Sequence, residues 1–482
     1  MAKLIETGLL FLTLFFLFLI PTRDTDFGWH YRCGQELVTL EKFCGENHFT
    51  YLLDGFKWRS PSQGYDLLLY FLYKDLGFPG ITIFYAASAA IVFTFFVKTL
   101  RGSQPTNVLM IVAGLWFSWS VFDIGFRSQI LSIYFLMMFM ALINIHETNK
   151  KYLFLLPVLS IFWSNFHSGF FLGPLVVLAL LAQRIFDYQT GKATLNDLKL
   201  VAIISALTIL ATILNPFGPA IYQEVARHAQ VPLNTLIAEW VPPLPWQILI
   251  IIFSTFFVVI RLWQKESKNI FGIILVSFFA FLAFEARRNL PLFSITAVFG
   301  LASTDLMKNW PRPLIKKQLG RGIYAFALVA LIAIFAVKNL PLVFRYDEEI
   351  YSRNALMALP YDGVRFMRTQ EPGYIFNTYE WGGYLIWKLP EFKIFADGRM
   401  PSWDTSNERQ LPENWKGKSP YTIYIEIIQT QPGWQEALQA YKTDYIMIQS
   451  GAYLDLVLKS DQKKLGFQNI YDKEGVSIFK RV

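Results

Sequence analysis

Hydrophobic positions fall in long runs over the first two thirds of the chain and in short, interrupted runs over the last third. Runs long enough to cross a bilayer, or nearly so, cover roughly 7–21, 79–97, 105–121, 127–145, 151–165, 169–185, 199–214, 244–262, 269–285, 289–303 and 322–338. A spanning helix needs about 20 apolar residues, so the shorter runs have soft boundaries. The segment 64–77 is too short and too polar to span, and predicts an amphipathic helix at the interface. Segments 151–165 and 169–185 are split by Ser168-Gly169 and can form a hairpin that does not fully cross. After about residue 340 the pattern turns soluble. Tyr374-Ile-Phe-Asn377 and Phe392-Lys-Ile-Phe-Ala396 read as short strands, with a helix over 382–389 between them. The stretch 421–441 is helical in part and interrupted near Pro432. Thr443-Asp-Tyr-Ile-Met-Ile-Gln449 is a strand, 453–460 a helix, and 467–480 a hairpin turning at Lys473-Glu-Gly475. Strands alternating with helices predict a small α/β layer.

Charge orients this pattern. Lys98 and Arg101, Lys150 and Lys151, Arg184, Lys192 and Lys199, Arg261, Lys265 and Lys268, and then Lys308, Arg312, Lys316, Lys317 and Arg321 occupy every second loop. The positive-inside rule places these loops, with Lys3, in the cytoplasm, so that about eleven crossings leave the N-terminus inside and the C-terminus outside. The first run could be a secretory signal, but no small-residue cleavage site follows it and Asp24 arrives at once, which favours an uncleaved first membrane helix. The expectation is a polytopic α-helical membrane protein with a small C-terminal α/β extracytoplasmic domain. Residues 1–340 form the membrane domain, with a first outer loop over 22–63, and 341–482 form the outer domain. Composition agrees: 54% of the 482 residues are hydrophobic and only 17% charged, against roughly a quarter charged in soluble proteins. The net charge of +8 is accounted for by the cytoplasmic loops, and no basic patch interleaved with aromatics points to nucleic acid. The two cysteines, Cys33 and Cys44, lie in the first outer loop; a disulfide and two incidental thiols are both compatible with that, while a zinc site is not.

The unusual polar residues sort onto the outer set of loops. Asp24 and Asp26 sit where the first apolar run ends, with His30 and Arg32 within two helical turns. Acids are expensive at such a place. A carboxylate there can act as general base towards an acceptor hydroxyl or amine, two of them can hold a divalent cation such as Mg or Mn, and Asp26 and His30 share a helix face. The alternative is a simple interfacial helix cap. Arg127, with Gln129, and Arg287-Arg288-Asn289 suit a bidentate grip on phosphate, or snorkelling to lipid headgroups. Trp163, Asn165 and His167 beside Gly169 predict a polar cavity. Glu239 before Trp240 is a second candidate acid or a loop anchor. In the soluble part, Gly382-Gly383 permits close backbone approach, and Trp381, Asp397 and Arg399 are candidates for lining an acceptor site, Asp397-Gly-Arg399 being a turn by default. Phosphate-loop, dinucleotide, zinc-protease and serine-hydrolase patterns are absent, so no nucleotide cofactor is expected.

Taken together, Asp24-Thr-Asp26 with Trp29-His30, Trp163-Ser-Asn-Phe-His-Ser-Gly169, Asn215-Pro-Phe-Gly218, Glu239-Trp240, Arg287-Arg-Asn289 and Trp381-Gly-Gly-Tyr384 with Asp397-Gly-Arg399 resemble the C superfamily of glycosyltransferases, and more closely a bacterial set of such membrane proteins. Tyr379-Glu-Trp-Gly-Gly-Tyr384 is also similar, more weakly, to the Trp-Trp-Asp-Tyr-Gly motif of oligosaccharyltransferase catalytic subunits. The resemblance implies transfer of a hexosyl or pentosyl group from a polyprenyl-phosphate carrier at the outer face of the bacterial inner membrane. The acceptor (lipid, glycan or protein) is left open. It makes one of Asp24 and Asp26 the general base, gives the other an orienting or metal-holding role, and assigns the lipid phosphate to Arg127, Arg287 and Arg288, with inversion at the anomeric carbon. A transporter or flippase of a lipid-linked solute and a non-catalytic assembly factor are the rival readings. A transporter predicts polar groups on both faces and two related halves, neither of which the sequence displays.

Overall fold

The structure, a computed structural model, describes residues 2–147, 149–231, 240–304, 317–406, 408 and 411–482. By contacts the chain divides into two compact units. The first comprises residues 1–22, 78–219 and 237–345, and the second 23–77, 220–236 and 346–482.

Each expected apolar run folds as a helix in the first unit: Ala2–Leu17, the latter part of Gln63–Thr99, Gln104–Phe122, Ser128–His146, Leu155–Phe166, Leu172–Gln189, Leu195–Ala211, Pro245–Trp263, Ile270–Glu285, Leu290–Ala302 and Lys317–Arg345. Six helices are long and apolar enough to cross a membrane among the described residues. The chain is thus a mostly helical, integral membrane protein with one small sheet. The surface of this unit agrees with that: on Pro245–Trp263, Phe253 and Phe256 are 69% and 67% exposed, which an aqueous surface would not tolerate over a whole helix face. Local sequence places the helix ends. Thr194 and Asp197 form a reciprocal capping box, and the Asn269 side chain accepts from the Gly272 amide. Ala2–Leu17 packs on Lys317–Arg345, and Gln104–Phe122 on Leu290–Ala302. Leu155–Phe166 and Leu172–Gln189, expected as a hairpin, each pack against Leu195–Ala211. His167 between them is extended and is followed by a 3-10 turn over Ser168–Phe171.

The helix Gln63–Thr99 contains a break. Gly77 has φ +63° and Pro79 follows. The positive φ suits glycine, and proline has no N–H to donate to the preceding turn of the helical ladder. The stretch expected as an interfacial helix, 64–77, is therefore the part of this helix that precedes the break, and it belongs to the second unit.

The second unit is built on a five-stranded mixed sheet with Lys393–Ile394 at one edge and Phe467–Lys473 at the other. Its strands are β1 (Tyr374–Asn377), β2 (Lys393–Ile394), β3 (Tyr445–Gln449), β4 (Phe467–Lys473) and β5 (Val476–Arg481). β1 runs parallel to β2 and β3, and β5 antiparallel to β3 and β4. Strands, helices and the hairpin turn lie where the residue pattern put them. The first loop, in contrast, joins this unit instead of standing with the helices around it. Thr50 forms a parallel bridge to Ile394, with Tyr51 N donating to Ile394 O and Ile394 N to Phe49 O, so residues near 50 extend the β2 edge and cover its open hydrogen-bonding groups. Cys33 and Cys44 form a disulfide that ties this loop to the helix Phe27–Thr39.

Candidate functional site

The acidic motif leads into the helix Phe27–Thr39. Asp26 occupies the N-cap position, yet its side chain makes no capping hydrogen bond. Asp24 does the local work: its Oδ1 accepts from the Asp26 amide at 3.2 Å, and its carbonyl oxygen accepts from the Tyr351 hydroxyl at 2.6 Å. Asp24 is 2% exposed, whereas Asp26 is only half-buried. The Asp26 carboxylate instead accepts from Trp29 Nε1 at 3.0 Å and lies against Gly398, where a Cβ would come within 2.1 Å of Asp26 Oδ1. The two acids are thus not equivalent. One is built into the backbone turn and the other is held by a neighbouring indole.

Glycines bring the remaining motifs to this carboxylate. A Cβ on Gly28 would stand 1.9 Å from Gly383 O, and one on Gly383 would stand 2.4 Å from Thr25 O. The helices Phe27–Thr39 and Gly382–Lys388 therefore meet backbone to backbone. Gly382 makes the same approach to Ala396 and Asp397. The close backbone approach that the glycine pair permits is made to the acidic motif and to the Asp-Gly-Arg turn.

His30, expected to be catalytic, is buried beneath this surface. Its Nδ1 lies 2.5 Å from Asp66 Oδ1, and its ring stacks on Trp29 at 3.5 Å. Asp66 is fully buried. The pair positions Trp29, whose N–H holds Asp26, so His30 stands one residue removed from the acid. Asp397 and Arg399 are likewise internal. Both side chains are 0% exposed. Arg399 Nε and Nη2 donate to Asp397 at 2.7 and 2.6 Å, and Nη2 also to Asn47 Oδ1 at 3.2 Å. The guanidinium lies among the rings of Phe49, Trp58 and Trp403, 5.0–5.4 Å from their centroids. The Arg399 amide donates to Asp397 Oδ1 at 3.0 Å, which makes the motif a side-chain-closed turn. Trp381 is buried too, and its indole N–H donates to Ala358 O at 3.0 Å. Trp381 Nε1 and Arg399 Nε and Nη2 are thus taken by the protein's own acceptors, while Arg399 Nη1 is buried without one among the described residues.

Three residues near Asp26 were not among the expected site residues. Asp66 and Trp58 are two. The third, Tyr379, has a buried hydroxyl with no acceptor among the described residues. Burial, with the Asp397 and Asp26 carboxylates in range, pushes that hydroxyl well above its ordinary value, so it stays an O–H donor. Asp66 carries a related signal, an acid immediately before an apolar stretch, Leu67-Leu68-Leu69. Tyr379 has no such signal, because tyrosine is ordinary in a core.

The first unit gathers its own cluster. Gln129 Nε2 donates to Arg288 O at 3.0 Å, which brings the Arg127-Ser-Gln129 turn to the Arg287-Arg288 turn. Arg287 N donates to Val241 O, and the Arg288 guanidinium lies 4.4 Å over the Trp240 ring. His167 belongs to the same end. Trp163 Nε1 donates to Ser132 Oγ, Ser132 Oγ to His167 Nδ1 and Gly169 N to His167 Nδ1, at 2.7, 2.7 and 3.0 Å. A nitrogen that accepts twice carries no proton, so this geometry assigns the neutral tautomer protonated on Nε2. Asn165 and Asn289 both use their side-chain N–H groups on backbone carbonyls, Asn165 on Ile161 O and Leu214 O and Asn289 on Leu282 O. Glu239 lies outside the described residues, as do Lys308, Arg312 and Lys316.

For a divalent cation the donor set is short. No group of three His, Cys, Asp or Glu side chains converges among the described residues. His30 is engaged with Asp66 and Asp397 with Arg399, so Asp24 and Asp26 are the carboxylates a divalent cation would use, and Mg is usually held by one or two carboxylates with waters and substrate phosphates.

No family model matches the sequence, and no curated protein sequence does. Solved structures do match in fold. The oligosaccharyltransferase AglB from Archaeoglobus fulgidus, in complex with an inhibitory peptide and a dolichol-phosphate, aligns with TM-score 0.59 at 11% identity over 99% of this chain and 74% of its own. An apo form of the Archaeoglobus fulgidus oligosaccharyltransferase aligns with TM-score 0.57 at 10% identity, over 93% and 69%. ArnT from Cupriavidus metallidurans, bound to undecaprenyl phosphate, aligns with TM-score 0.52 at 11% identity over 100% and 97%. The fold of this chain is shared with these three solved structures.

Proposed function

We propose that the chain transfers a sugar from a polyprenyl-phosphate carrier to an acceptor at the outer face of a bacterial inner membrane, with Asp26 as the general base. The observation that carries this reading is the Asp26 carboxylate: a half-buried acid at a helix N-cap that does not cap, held by Trp29 and faced by glycine. Asp26 takes the proton of an acceptor hydroxyl or amine as that atom attacks the anomeric carbon. The bond from that carbon to the phosphate oxygen breaks, the carrier leaves as polyprenyl phosphate with the bonding electrons, and the anomeric centre inverts. Asp24 fixes the backbone of Asp26, and Trp29 over His30 and Asp66 fixes its side chain. Arg127, Arg287 and Arg288 are the groups proposed to grip phosphate, which suits guanidinium geometry. No step is routed through a metal. In this reading about eleven crossings put the N-terminus in the cytoplasm and residues 341–482 outside.

Asp26→Asn keeps an acceptor for Trp29 and removes the base. In membranes supplied with a lipid-linked sugar it is expected to slow transfer by about 10²–10⁴-fold, with the protein still folded and still co-purifying with polyprenyl phosphate in native mass spectrometry. Transfer at the wild-type rate would remove Asp26 from the mechanism. Repeated absence of any isoprenoid phosphate would count against the donor class.

A further inference from the structure

The helix Ser128–His146 has 19 residues, so its far end lies about 27 Å from the Arg127 turn. At that end the first unit has a half-open cavity of about 470 Å³, within the usual range of small-molecule sites. Five Lys and Arg side chains line it, Arg101, Lys150, Arg184, Lys265 and Lys268, against three acids, Glu147, Asp187 and Asp197. Two of these acids are consumed at the rim, Glu147 by Arg101 and Asp197 by Lys150. The third, Asp187, reaches Arg184 only at 3.9 Å, and its other oxygen accepts from Gln183 Nε2 at 2.8 Å.

Arg184 is the centre of the arrangement. One nitrogen lies 3.2 Å from His146 Nε2, while His146 Nδ1 is bonded to the carbonyl of Ile143. A carbonyl only accepts, so Nδ1 carries the proton and a neutral His146 accepts from the guanidinium. Histidine thereby orients the arginine without neutralising it. Arg184 Nε is buried and has no acceptor among the described residues, a costly condition for a charged donor. Lys268 meets the ring of Trp263 at 4.0 Å and no acid among the described residues. Below the cations the wall is apolar, formed by Ile143, Leu180, Phe271 and Phe299. A cationic rim over an apolar floor between membrane helices is the chemistry that holds a phosphate headgroup.

We infer that this cavity binds a phosphate anion, either the headgroup of an acidic phospholipid or a soluble phosphate ester, with Arg184 and Lys268 as its principal contacts. The site is separate from the proposed transfer chemistry, and its test does not depend on that chemistry.

The full chain, reconstituted in nanodiscs of mixed phosphatidylglycerol and phosphatidylcholine, is released into native mass spectrometry and the retained lipid counted. In parallel the detergent-solubilised chain is heated with and without inorganic pyrophosphate. Retention of phosphatidylglycerol over phosphatidylcholine, reduced roughly tenfold or more by Arg184→Gln/Lys268→Gln but not by Lys199→Gln, an exposed cation outside the cavity, establishes the site with a lipid headgroup. A pyrophosphate-dependent rise in unfolding temperature that the double variant loses establishes it with a soluble phosphate. Because Arg184 also contacts His146 and Asp187, Lys268→Gln alone is the second variant, expected to show a smaller loss in the same arm. If neither ligand distinguishes wild type from the variants, or if Lys199→Gln abolishes the retention equally, the inference is overturned.

Discussion

Replacing Arg399 separates architecture from substrate recognition. Arg399→Met keeps the aliphatic stem among Phe49, Trp58 and Trp403 and removes the guanidinium. Three side-chain hydrogen bonds go with it, two to Asp397 and one to Asn47. Asp397 keeps the backbone amide of residue 399 at 3.0 Å, but its Oδ2 loses the guanidinium in a position that is 0% exposed. Breaking one half of a buried ion pair costs about 3–5 kcal/mol, because the orphaned charge cannot reach water. For a unit of roughly 200 residues that is a fall of about 6–20 °C in unfolding temperature. The double variant Asp397→Asn/Arg399→Met removes the orphaned charge and keeps an oxygen for the 399 amide, so it is expected to recover at least half of the loss. The assay is thermal unfolding of the full chain in detergent, followed by tryptophan fluorescence, beside acceptor-dependent transfer kinetics. If Arg399→Met unfolds at the wild-type temperature while the acceptor KM rises, the guanidinium is a substrate contact and the reasoning fails.

Other expectations follow from single contacts. Gly383→Ala puts a methyl 2.4 Å from Thr25 O and is expected to cost about 1–3 kcal/mol, whereas Gly320→Ala, in a helix and with nothing within 4 Å, is expected to leave the unfolding temperature unlowered or slightly raised, because alanine is the better helix former. Opening the Cys33–Cys44 bridge as a double serine variant releases a loop with a separation of 11 residues, and about 2–3 kcal/mol of stability is expected to go with it in chemical unfolding. Glu224 is held above its ordinary 4.5 by burial, against the opposing pull of Arg227. A raised carboxyl contributes stability that is present below 4.5 and lost as pH rises through the folded value. The wild-type unfolding temperature is therefore expected to fall more steeply than that of Glu224→Gln as pH rises from 4.5, and parallel pH curves would refute the assignment.

The helices and strands were legible because their causes are local. Apolar run length, the change of period after about residue 340 and the Lys473-Glu-Gly475 turn are all readable one segment at a time. The alternation of basic loops was legible too, since Arg101 meets Glu147 and Lys150 meets Asp197 at one end of the helices while Arg288 meets Gln129 at the other. What the residue pattern hid is long-range pairing. Nothing near residue 50 announces a bridge to Ile394, and nothing in Gly28 announces Gly383. For the same reason Trp381, Asn165, Asn289 and Arg399 looked available to a substrate. Polar side chains in an apolar setting read alike whether they await a ligand or serve a carbonyl two helices away, and only the partner atom tells them apart.

That distinction sharpens the acidic motif. Two aspartates two residues apart read as interchangeable, and the structure gives them different work. Asp24 closes the turn through the Asp26 amide and is linked to Tyr351 by its carbonyl. Asp26 is excluded from capping its own helix, although the helix N-terminus would stabilise it there by up to about 1 kcal/mol. Something must hold it away, and the chain supplies a stack for that purpose: Asp66 against His30, His30 against Trp29, Trp29 to Asp26. If the stack serves only packing, Asp66→Asn lowers stability and leaves the pH dependence of transfer unchanged. If it aims the carboxylate, Asp66→Asn lowers kcat with KM retained and shifts the acid limb of the pH–rate profile, because the base it positions is no longer held in one environment. The second outcome is expected here, since a fully buried aspartate–histidine pair beneath a single indole is a costly way to fill space.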